Sequence, residues 1–295
     1  MRRFLSIGEC MLEMAPAQDG LYKAGFAGDT FNTAWYARKL AGPQLEVAYM
    51  TAIGEDDASR RLEAFIRQAG VTPELLYRKD RTIGLYMISL QNGERSFSYW
   101  RGQSAAKTMA DDLGDLPRIK AGDLVYVSGI TFAILPETGR ENLLAAIAKA
   151  RAQGAVVAFD PNLRPKLWRH ADEMRAVVMQ AAGCADIILP SFEDEAEWFG
   201  DADLAACAAR YSKAGAARVV VKNGAGPICL SDASALSYLD VAPVAQVVDS
   251  TAAGDAFNAG FLVALDRGAN MEQAARAGCD VARKVIAQRG ALAEI

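Results

Sequence analysis

The chain has 295 residues, 52% of them hydrophobic, and a formal net charge of −4, which argues against nucleic acid or an anionic membrane as the main partner. Its five cysteines are scattered without a Cys-x-x-Cys, a pattern typical of reduced thiols and not of a disulfide framework or a zinc site. The first apolar stretch breaks too early for a signal peptide, and no run of about 18 apolar residues could span a membrane, so we expect a cytoplasmic protein.

The first short strand candidates, Glu9 to Glu13 and Leu21 to Phe26, lie near the N-terminus. Further along, Asn92-Gly93 separates two strand-like runs, Gly84 to Leu90 and Arg95 to Trp100, and an Asn-Gly in this position is a strong hairpin signal. These pieces predict a small antiparallel layer, a lid with segments near residues 9–27 and 82–101. Because no long linker or repeat is evident, we expect one domain over residues 1–295.

Beyond the hairpin, apolar runs alternate with helical patterns, which predicts a doubly wound, largely parallel sheet with right-handed crossovers. Ligands bind beyond the carboxyl ends of the strands in such sheets, so the polar residues there are candidates: Asp160, Ser191, Asn223 and Asp249. The predicted strands are Leu124–Ser128, Ala155–Asp160, Asp186–Leu189 and Arg218–Lys222, and the predicted helices are Glu141–Gln153, Glu173–Ala182 and Leu204–Ala214.

The segment from Val247 to Phe261 carries the sharpest chemical signal. A predicted strand runs into a turn of small residues and then into a helix, whose free N–H groups can bind an anion. Asp255 lies at the same turn, where its carboxylate can accept the proton of an attacking hydroxyl. Phosphoryl transfer needs both features. The alternative is an N-capping Asp before a buried helix, and this segment alone does not decide between the two.

A second motif, Ala27-Gly28-Asp29-Thr30-Phe31-Asn32-Thr33-Ala34, starts another helix and could by itself be an ordinary capped helix. Together, the two motifs resemble the signature pair of the ribokinase-like carbohydrate kinases, the PfkB family. The resemblance covers nearly the whole chain, including the hairpin, Asp160-Pro161-Asn162 and Val221-Lys222-Asn223-Gly224-Ala225. It implies a three-layer αβα sandwich with a largely parallel central sheet and a small β-sheet lid.

Within this family the chain is most similar to bacterial 2-keto-3-deoxygluconate kinases, through Ser96-Phe97-Ser98-Tyr99-Trp100-Arg101 and Asn162-Leu163-Arg164-Pro165-Lys166-Leu167-Trp168. This implies phosphorylation of the 6-hydroxyl of a sugar acid by ATP with Mg²⁺, together with K⁺ as a further expectation, and a homodimer formed through the lid. The alternatives are a fructokinase or another PfkB-family sugar kinase and, in a different class, a non-catalytic sugar-acid sensor.

The resemblance also implies roles for single residues. Asp255 would be the catalytic base, directly after Ala252, Ala253 and Gly254 in the same turn. The guanidinium groups of Arg101 and Arg164 suit a carboxylate because each can donate two parallel hydrogen bonds. Asp194 would position magnesium and Asp249 a monovalent cation. The remaining substrate residues would be Gly28, Asp29, Asn32, Tyr86 and Tyr99, and the nucleotide residues Asn162, Ser191, Lys222, Gly224, Gly226, Ala252 and Gly254.

Two departures from the family pattern are visible. Ala27 and Ala252 occupy positions where the family usually has Gly, and alanine disfavours positive φ. Ser191-Phe192-Glu193-Asp194 replaces the Asn-x-x-Glu string of many relatives. There is no Gly-x-x-x-x-Gly-Lys-[Ser/Thr] string, so a P-loop kinase is not supported.

Overall fold

The computed structural model describes residues 2–91, 94–233, 235–244 and 246–295, so the predicted Asn92-Gly93 turn lies outside the described residues. The described strands are, in chain order, β1 (Arg2–Ile7), β2 (Met11–Pro16), β3 (Tyr22–Ala27), β4 (Leu45–Ile53), β5 (Thr72–Tyr77), β6 (Leu85–Gln91), β7 (Glu94–Trp100), β8 (Leu124–Ser128), β9 (Val156–Asp160), β10 (Ile187–Ile188), β11 (Arg218–Val221), β12 (Ile228–Asp232) and β13 (Ala235–Leu239).

Nine of these strands form the main sheet, in the order β13-β12-β11-β10-β9-β8-β1-β4-β5. The pairs from β5 to β11 are parallel, and only β12 and β13 run antiparallel to their neighbours. The largely parallel sheet predicted from the sequence is therefore confirmed. Parallel strands place their carboxyl ends along one edge, which is where the candidate residues after the strands meet.

The lid is the second sheet, with the order β3-β2-β6-β7. The small separate sheet is confirmed, but the prediction that it is antiparallel throughout is wrong, because β2 pairs with β6 in parallel. The connectivity gives the reason: β2 follows β1 and β6 follows β5, so both strands leave the same edge of the main sheet in the same direction. The pairs β2–β3 and β6–β7 are antiparallel, as expected for strands joined by short connections.

Helices cover both faces of the main sheet. One face packs against α1, α2, α8 and α9, and the other against α3 to α7. No helix within the described ranges is long and apolar enough to cross a bilayer. The helices are α1 (Asp29–Leu40), α2 (Asp57–Gln68), α3 (Gly129–Ile134), α4 (Glu137–Ala152), α5 (Ala171–Gly183), α6 (Phe192–Phe199), α7 (Leu204–Ala214), α8 (Ala253–Asp266) and α9 (Met271–Ile286).

The two cores follow the alternation of side chains along each strand. Along β1, Phe4 belongs to the core on the α1 side, whereas Leu5 and Ile7 belong to the core on the α4 side. This explains why the strands read as continuous apolar runs: both of their faces are buried. The strands predicted at 124–128, 155–160, 186–189 and 218–222 and the three predicted helices are all present, with ends that shift by a few residues.

The strand predicted before the anion turn is wrong. The segment around Val247 and Val248 is irregular, and the two valines are 58% and 43% exposed. The sheet already ends at β13, and the amides of Val248 and Asp249 donate instead to the carbonyl of Ile286 at the end of α9, at 2.8 and 3.2 Å. The turn is thus anchored to a helix and not to the sheet.

Candidate active site

A cleft of about 420 Å³ lies between the carboxyl ends of the main-sheet strands and the lid. Most of the predicted site residues line it, although they come from distant parts of the chain. Gly224, Gly226 and Asp249 are not among its lining residues. The predicted residues in its walls are Gly28, Asp29, Asn32, Tyr86, Tyr99, Arg101, Asn162, Arg164, Ser191, Asp194, Lys222, Ala252, Ala253, Gly254 and Asp255.

The anion turn forms the start of α8. Ala252 is the residue before the helix, with φ +61° and ψ +14°, and the amide of Ala253 donates to the carbonyl of Ser250 at 3.2 Å. The next amides, of Gly254 and Asp255, lie in the first helical turn, where N–H groups have no intrahelical acceptor. A Cβ atom on Gly254 would lie 3.7 Å from the ammonium nitrogen of Lys222, so a fixed cation sits beside these amides. The turn can therefore hold an anion.

Asp255 faces the start of the other motif helix. Its Oδ2 accepts a hydrogen bond of 2.8 Å from Nδ2 of Asn32 in α1. Burial is the main cause that raises the pKa of Asp255 to about 8, and the nearby charge of Asp29 raises it further, while the Asn32 hydrogen bond and Lys222 act in the opposite direction. A carboxylate with a raised pKa is a stronger base than an exposed one, which suits proton abstraction from a hydroxyl.

Asp29 belongs to a second hydrogen-bonded group in the lining of the cleft. Its Oδ2 accepts a bond from Oγ of Ser128 and one of 2.9 Å from Nδ2 of Asn162. Burial raises the pKa of Asp29, and these hydrogen bonds partly offset the rise. Asn162 has φ +36°, an unusual value for a non-glycine residue, and its amide donates to Oδ1 of Asp160 at 2.9 Å. The strand end at Asp160 therefore fixes Asn162 in a sparsely populated conformation beside the cleft.

Lys222 is held by two buried partners. Its Nζ lies 2.9 Å from Oδ2 of Asp160 and 3.2 Å from Oδ1 of Asn258, and Asn258 also donates to Asp160 and to the hydroxyl of Tyr126. Asp160 was among the candidates at the strand ends, but Asn258 and Ser128 were not among the predicted site residues. A signal for Asn258 was present, because it lies three positions after Asp255 and so projects from the same side of α8.

The lid lines one side of the cleft with aromatic rings. The rings of Tyr86 and Tyr99 lie 5.9 Å apart, and the guanidinium carbon of Arg101 is 6.0 Å from the Tyr99 ring. The hydroxyl of Tyr86 donates to Glu13, and burial followed by the charge of Glu13 raises the pKa of Tyr86. Arg101 forms an ion pair with Glu9. This wall combines apolar surface with polar groups, as in many small-molecule sites.

Arg164 and Asp194 lie together at the open side of the cleft. Nη1 of Arg164 is 3.6 Å from Oδ2 of Asp194, and the two side chains are about half and one-third exposed (51% and 36%). Burial raises the pKa of Asp194, and the charge of Arg164 opposes the rise. The pair is loose, so each partner can turn to a ligand of opposite charge.

Gly28 is required by space and not by backbone conformation. Its φ of 177° is extended, but a Cβ atom there would lie only 2.1 Å from the carbonyl oxygen of Glu9. Asn32 fixes the same junction, because its Oδ1 accepts a hydrogen bond of 3.3 Å from the Gly28 amide. The turn after β1 and the start of α1 therefore touch directly.

Gly224, Gly226 and Asp249 have local roles in the structure. Gly224 has φ +55° in the turn after β11, and the amide of Gly226 closes that turn on the carbonyl of Asn223 at 2.8 Å. Oδ1 of Asp249 accepts from the amide and hydroxyl of Thr251, at 3.0 and 2.7 Å, and Oδ2 accepts from the amide of Gly290 at 2.8 Å. Asp249 thus shapes the anion turn from behind.

A group with metal-like spacing, Glu195, Asp201 and Cys207, lies apart from the cleft. Nη2 of Arg210 lies 2.7 Å from Glu195 and 2.5 Å from Asp201, and its guanidinium stacks 3.8 Å from the Phe199 ring. The arginine pairs with both carboxylates, so the group is an ion-pair network that joins α6 to α7.

The sequence model of the pfkB family carbohydrate kinases matches residues 1–295. The chain belongs to this family. The 2-dehydro-3-deoxygluconokinase of Escherichia coli K12 is 38% identical over 99% of this chain and 97% of that protein. The fructokinase of Vibrio alginolyticus is 30% identical over 89% of this chain and 84% of its own length.

Solved structures of pfkB-type kinases also match the fold. The structure of Vibrio cholerae fructokinase with fructose, ADP and calcium ion bound has a TM-score of 0.86 and 24% identity, covering 99% of this chain and 95% of that chain. This likeness supports the arrangement of the main sheet and the lid. The protein is accordingly an ATP-dependent sugar kinase by family, and the confirmed fold class is the one predicted from the sequence.

The two alanines that replace family glycines differ in backbone conformation, and this generates a prediction. Ala252 is in the left-handed region (φ +61°), whereas Ala27 ends strand β3 and is 2% exposed. Ala252→Gly should raise the free energy of unfolding by about 0.5–1 kcal/mol, because relief of about 1–2 kcal/mol of strain exceeds the added chain entropy of glycine.

The matched control is Ala27→Gly, which should lower the free energy of unfolding by about 1–2 kcal/mol, since it removes a buried methyl group without relieving strain. Urea denaturation of both variants without ligands measures the difference. An equal loss of stability in the two variants would show that Ala252 is not strained.

Proposed function

We propose that this protein transfers the γ-phosphoryl group of ATP to the 6-hydroxyl of 2-keto-3-deoxygluconate. The observation that carries the proposal is the position of Asp255: its carboxyl group lies in the first turn of α8, beside the anion turn and Lys222, and faces a cleft that also contains two arginines. The similarity to the E. coli 2-dehydro-3-deoxygluconokinase, another name for the same activity, supports the choice of substrate. We treat the whole chain, 1–295, as one kinase domain.

Asp255 accepts the proton of the substrate hydroxyl during the reaction. As the substrate hydroxyl attacks, its O–H bond breaks and the proton moves to the Asp255 carboxylate. A bond forms from the hydroxyl oxygen to the γ-phosphorus while the bond from this phosphorus to the β–γ bridging oxygen breaks, which releases ADP. Asn32 holds the receiving carboxyl group in place through its 2.8 Å hydrogen bond. The amides at the start of α8 donate to the phosphoryl oxygens, where negative charge develops. Closure of the lid excludes water, which would otherwise compete as an acceptor.

The residues near the anion turn fit a nucleotide with Mg²⁺. The small side chains of Ala252, Ala253 and Gly254 leave the backbone accessible, and Lys222 supplies a positive charge. Asp194 is a cleft carboxylate with a weakly held partner, and Mg²⁺ usually binds through one or two carboxylates plus substrate phosphates. Bound Mg²⁺ would neutralise phosphate charge. Ser191 and Asn162 line the same side, and Gly224 and Gly226 would contact the nucleotide through their turn.

We propose Asp249 as part of a site for K⁺. Its carboxylate lies behind the anion turn and already accepts from Thr251 and Gly290, so a cation there would tie the turn to the chain after α9. The carboxylate oxygens suit a hard cation. A cytoplasmic location remains the prediction made from the sequence.

A panel of sugars and sugar acids with ATP, read out as ADP release, tests the proposed reaction. We expect 2-keto-3-deoxygluconate to give the highest kcat/KM. Preference for fructose would replace the proposal with a fructokinase, and no turnover with any member of the panel would favour a non-catalytic sensor.

Asp255→Asn should lower kcat by about 10²–10⁴-fold while the fold and ligand binding remain, because the amide cannot accept the proton. The matched control is Asp266→Asn, the same change at the far end of α8, where the side chain pairs with Arg2 at 3.2 Å. Steady-state kinetics and a thermal melt of both variants measure the effect. Near wild-type kcat in folded Asp255→Asn would rule out Asp255 as the base.

The same carboxyl group should set the acid limb of the pH profile. Since its pKa is raised to about 8 in the free protein, kcat/KM of the wild type should fall as the pH drops below this value and the base becomes protonated. A flat profile from pH 6 to 8 would contradict the assignment.

Arg164→Ala should lower kcat/KM for the keto-deoxy acid by roughly ten- to a hundredfold, because a charge-assisted hydrogen bond contributes about 1.5–3 kcal/mol. The KM for ATP should change less. Arg169→Ala is the control, since this exposed arginine belongs to the same segment but pairs with Glu173 outside the cleft lining. A parallel loss of activity on acids and neutral sugars would instead make Arg164 structural or phosphate-directed.

We also propose that the lid pairs two subunits. The edge strands β3 and β7 carry exposed apolar side chains, among them Tyr22 (42% exposed) and Trp100 (57%), and sheet edges of this kind are usually covered. Trp100→Ser should weaken the dimer by about tenfold or more. Tyr77→Ser is the control, because Tyr77 is equally exposed (50%) but lies on the main sheet. A fully active wild-type monomer in light scattering at micromolar concentration would contradict the dimer.

A further inference from the structure

Glu9 is a buried carboxylate on the cleft wall that has no part in the reaction described above. It follows β1, and the residue is only 3% exposed. Its side chain forms an ion pair with Arg101, which follows β7 and whose side chain is 13% exposed. Both residues line the cleft. The pair therefore joins the turn after β1 to the end of the lid hairpin at the wall of the cleft.

The space around this pair is restricted by Gly84, the residue before β6. A Cβ atom on Gly84 would lie 2.8 Å from Oε1 of Glu9 and 3.2 Å from Cβ of Arg101. The backbone of Gly84 is itself fixed, because its carbonyl accepts a hydrogen bond of 2.9 Å from the amide of Leu12. Three chain segments thus surround the Glu9 carboxylate and confine it beside Arg101.

The hydrogen bonding of the pair is incomplete among the described residues. Apart from the ion pair, no well-oriented hydrogen bond reaches the two carboxylate oxygens of Glu9 or Nε of Arg101, although these atoms are buried. Unsatisfied buried donors and acceptors are costly, so the ion pair has to offset the missing hydrogen bonds. Arg101 is the partly exposed member of the pair, so it is the one that can reach a ligand in the cleft.

The two arginines of the cleft, Arg101 and Arg164, differ in how firmly each is paired with a carboxylate. Arg101 is neutralised by a confined, buried carboxylate, whereas Arg164 is half-exposed and lies 3.6 Å from an exposed partner, Asp194. A long-range attraction for an anion depends on net charge, and Arg101 with Glu9 contributes almost none. Arg164 can exchange its weak partner for the substrate.

We propose that Glu9 is a positioning residue that fixes the Arg101 guanidinium against the substrate and cancels its charge, so that selection for the sugar acid rests mainly on Arg164. This inference rests on the proposed function, because it takes the substrate to be a sugar carboxylate. Arg101 then supplies directed hydrogen bonds, and the carboxylate of the substrate is recognised at the open end of the cleft.

A double-mutant cycle on Glu9 and Arg101 tests the proposal. The readout is the acid preference, defined as the dissociation constant of the uncharged carboxamide of 2-keto-3-deoxygluconate divided by that of the acid, measured by calorimetry without ATP. Glu9→Gln leaves Arg101 uncompensated and should raise the acid preference roughly threefold or more. Arg101→Gln leaves Glu9 uncompensated and should lower it by a similar factor.

The double variant, with both residues changed to Gln, should return to within about twofold of the wild-type acid preference while both ligands bind more weakly. Opposite signs in the single variants are expected only if charge cancellation is the role of Glu9. These differences should shrink in 0.5 M salt, because screening weakens the interaction of separated charges. Glu74→Gln is the control: Glu74 also pairs with two arginines, Arg3 and Arg118, but outside the cleft lining.

An unchanged or reduced acid preference in Glu9→Gln, or a double variant that matches Arg101→Gln, would overturn the proposal. If Glu9→Gln does not fold, the comparison of Arg101→Gln with the double variant still decides, because only charge cancellation predicts recovery in the double variant. The substrate panel of the wild type tests the proposed reaction separately, so failure of one idea does not imply failure of the other.

Discussion

The ammonium group of Lys222 is the buried charge that holds together the main-sheet side of the cleft. It follows the last parallel strand, β11, and its two contacts reach Asp160 after β9 and Asn258 within α8. Asp160 and Asn258 are 4% and 0% exposed, so neither can replace these contacts with water. Removal of one partner from such a group typically costs about 3–5 kcal/mol, because a buried charge is left uncompensated. The strand ends and the helix that carries Asp255 are thereby held in one arrangement.

A second contact fixes the two motif helices against each other. Asn32 in α1 and Asp255 in α8 are 223 positions apart, yet they share a hydrogen bond of 2.8 Å. Below this contact, Gly260 and Gly278 allow α8 and α9 to pack with almost no space between them, since a Cβ on Gly260 would lie 2.9 Å from the carbonyl oxygen of Ala277. The position of Asp255 therefore follows from backbone packing as well as from its own hydrogen bond.

The lid contacts the main-sheet side of the cleft through a few closely packed residues. The carbonyl of Glu9 packs where a Cβ on Gly28 would be, and the side chain of Glu9 fills the space beside Gly84. Groups from the turn after β1 and from β2 hold the aromatic and cationic wall of the cleft: Glu9 pairs with Arg101, and Glu13 accepts from Tyr86. Because the same short segment touches α1 and the hairpin, the position of the lid and the arrangement of this cleft wall depend on each other.

The sequence by itself determined the alternation of buried strands and helices, the small-residue turn before Asp255 and the polar residues that follow the strands, because these depend on local patterns of burial and backbone freedom. It also contained the family motifs that placed Arg101, Arg164 and Tyr86 in one cleft. Only the tertiary structure decided that Val247–Asp249 is not a strand, that β2 and β6 run in parallel, and that Arg101 meets Glu9 while Arg164 meets Asp194. These outcomes depend on which distant segments pair with the same sheet edge or the same charged group. Local sequence patterns contain no information on such pairing.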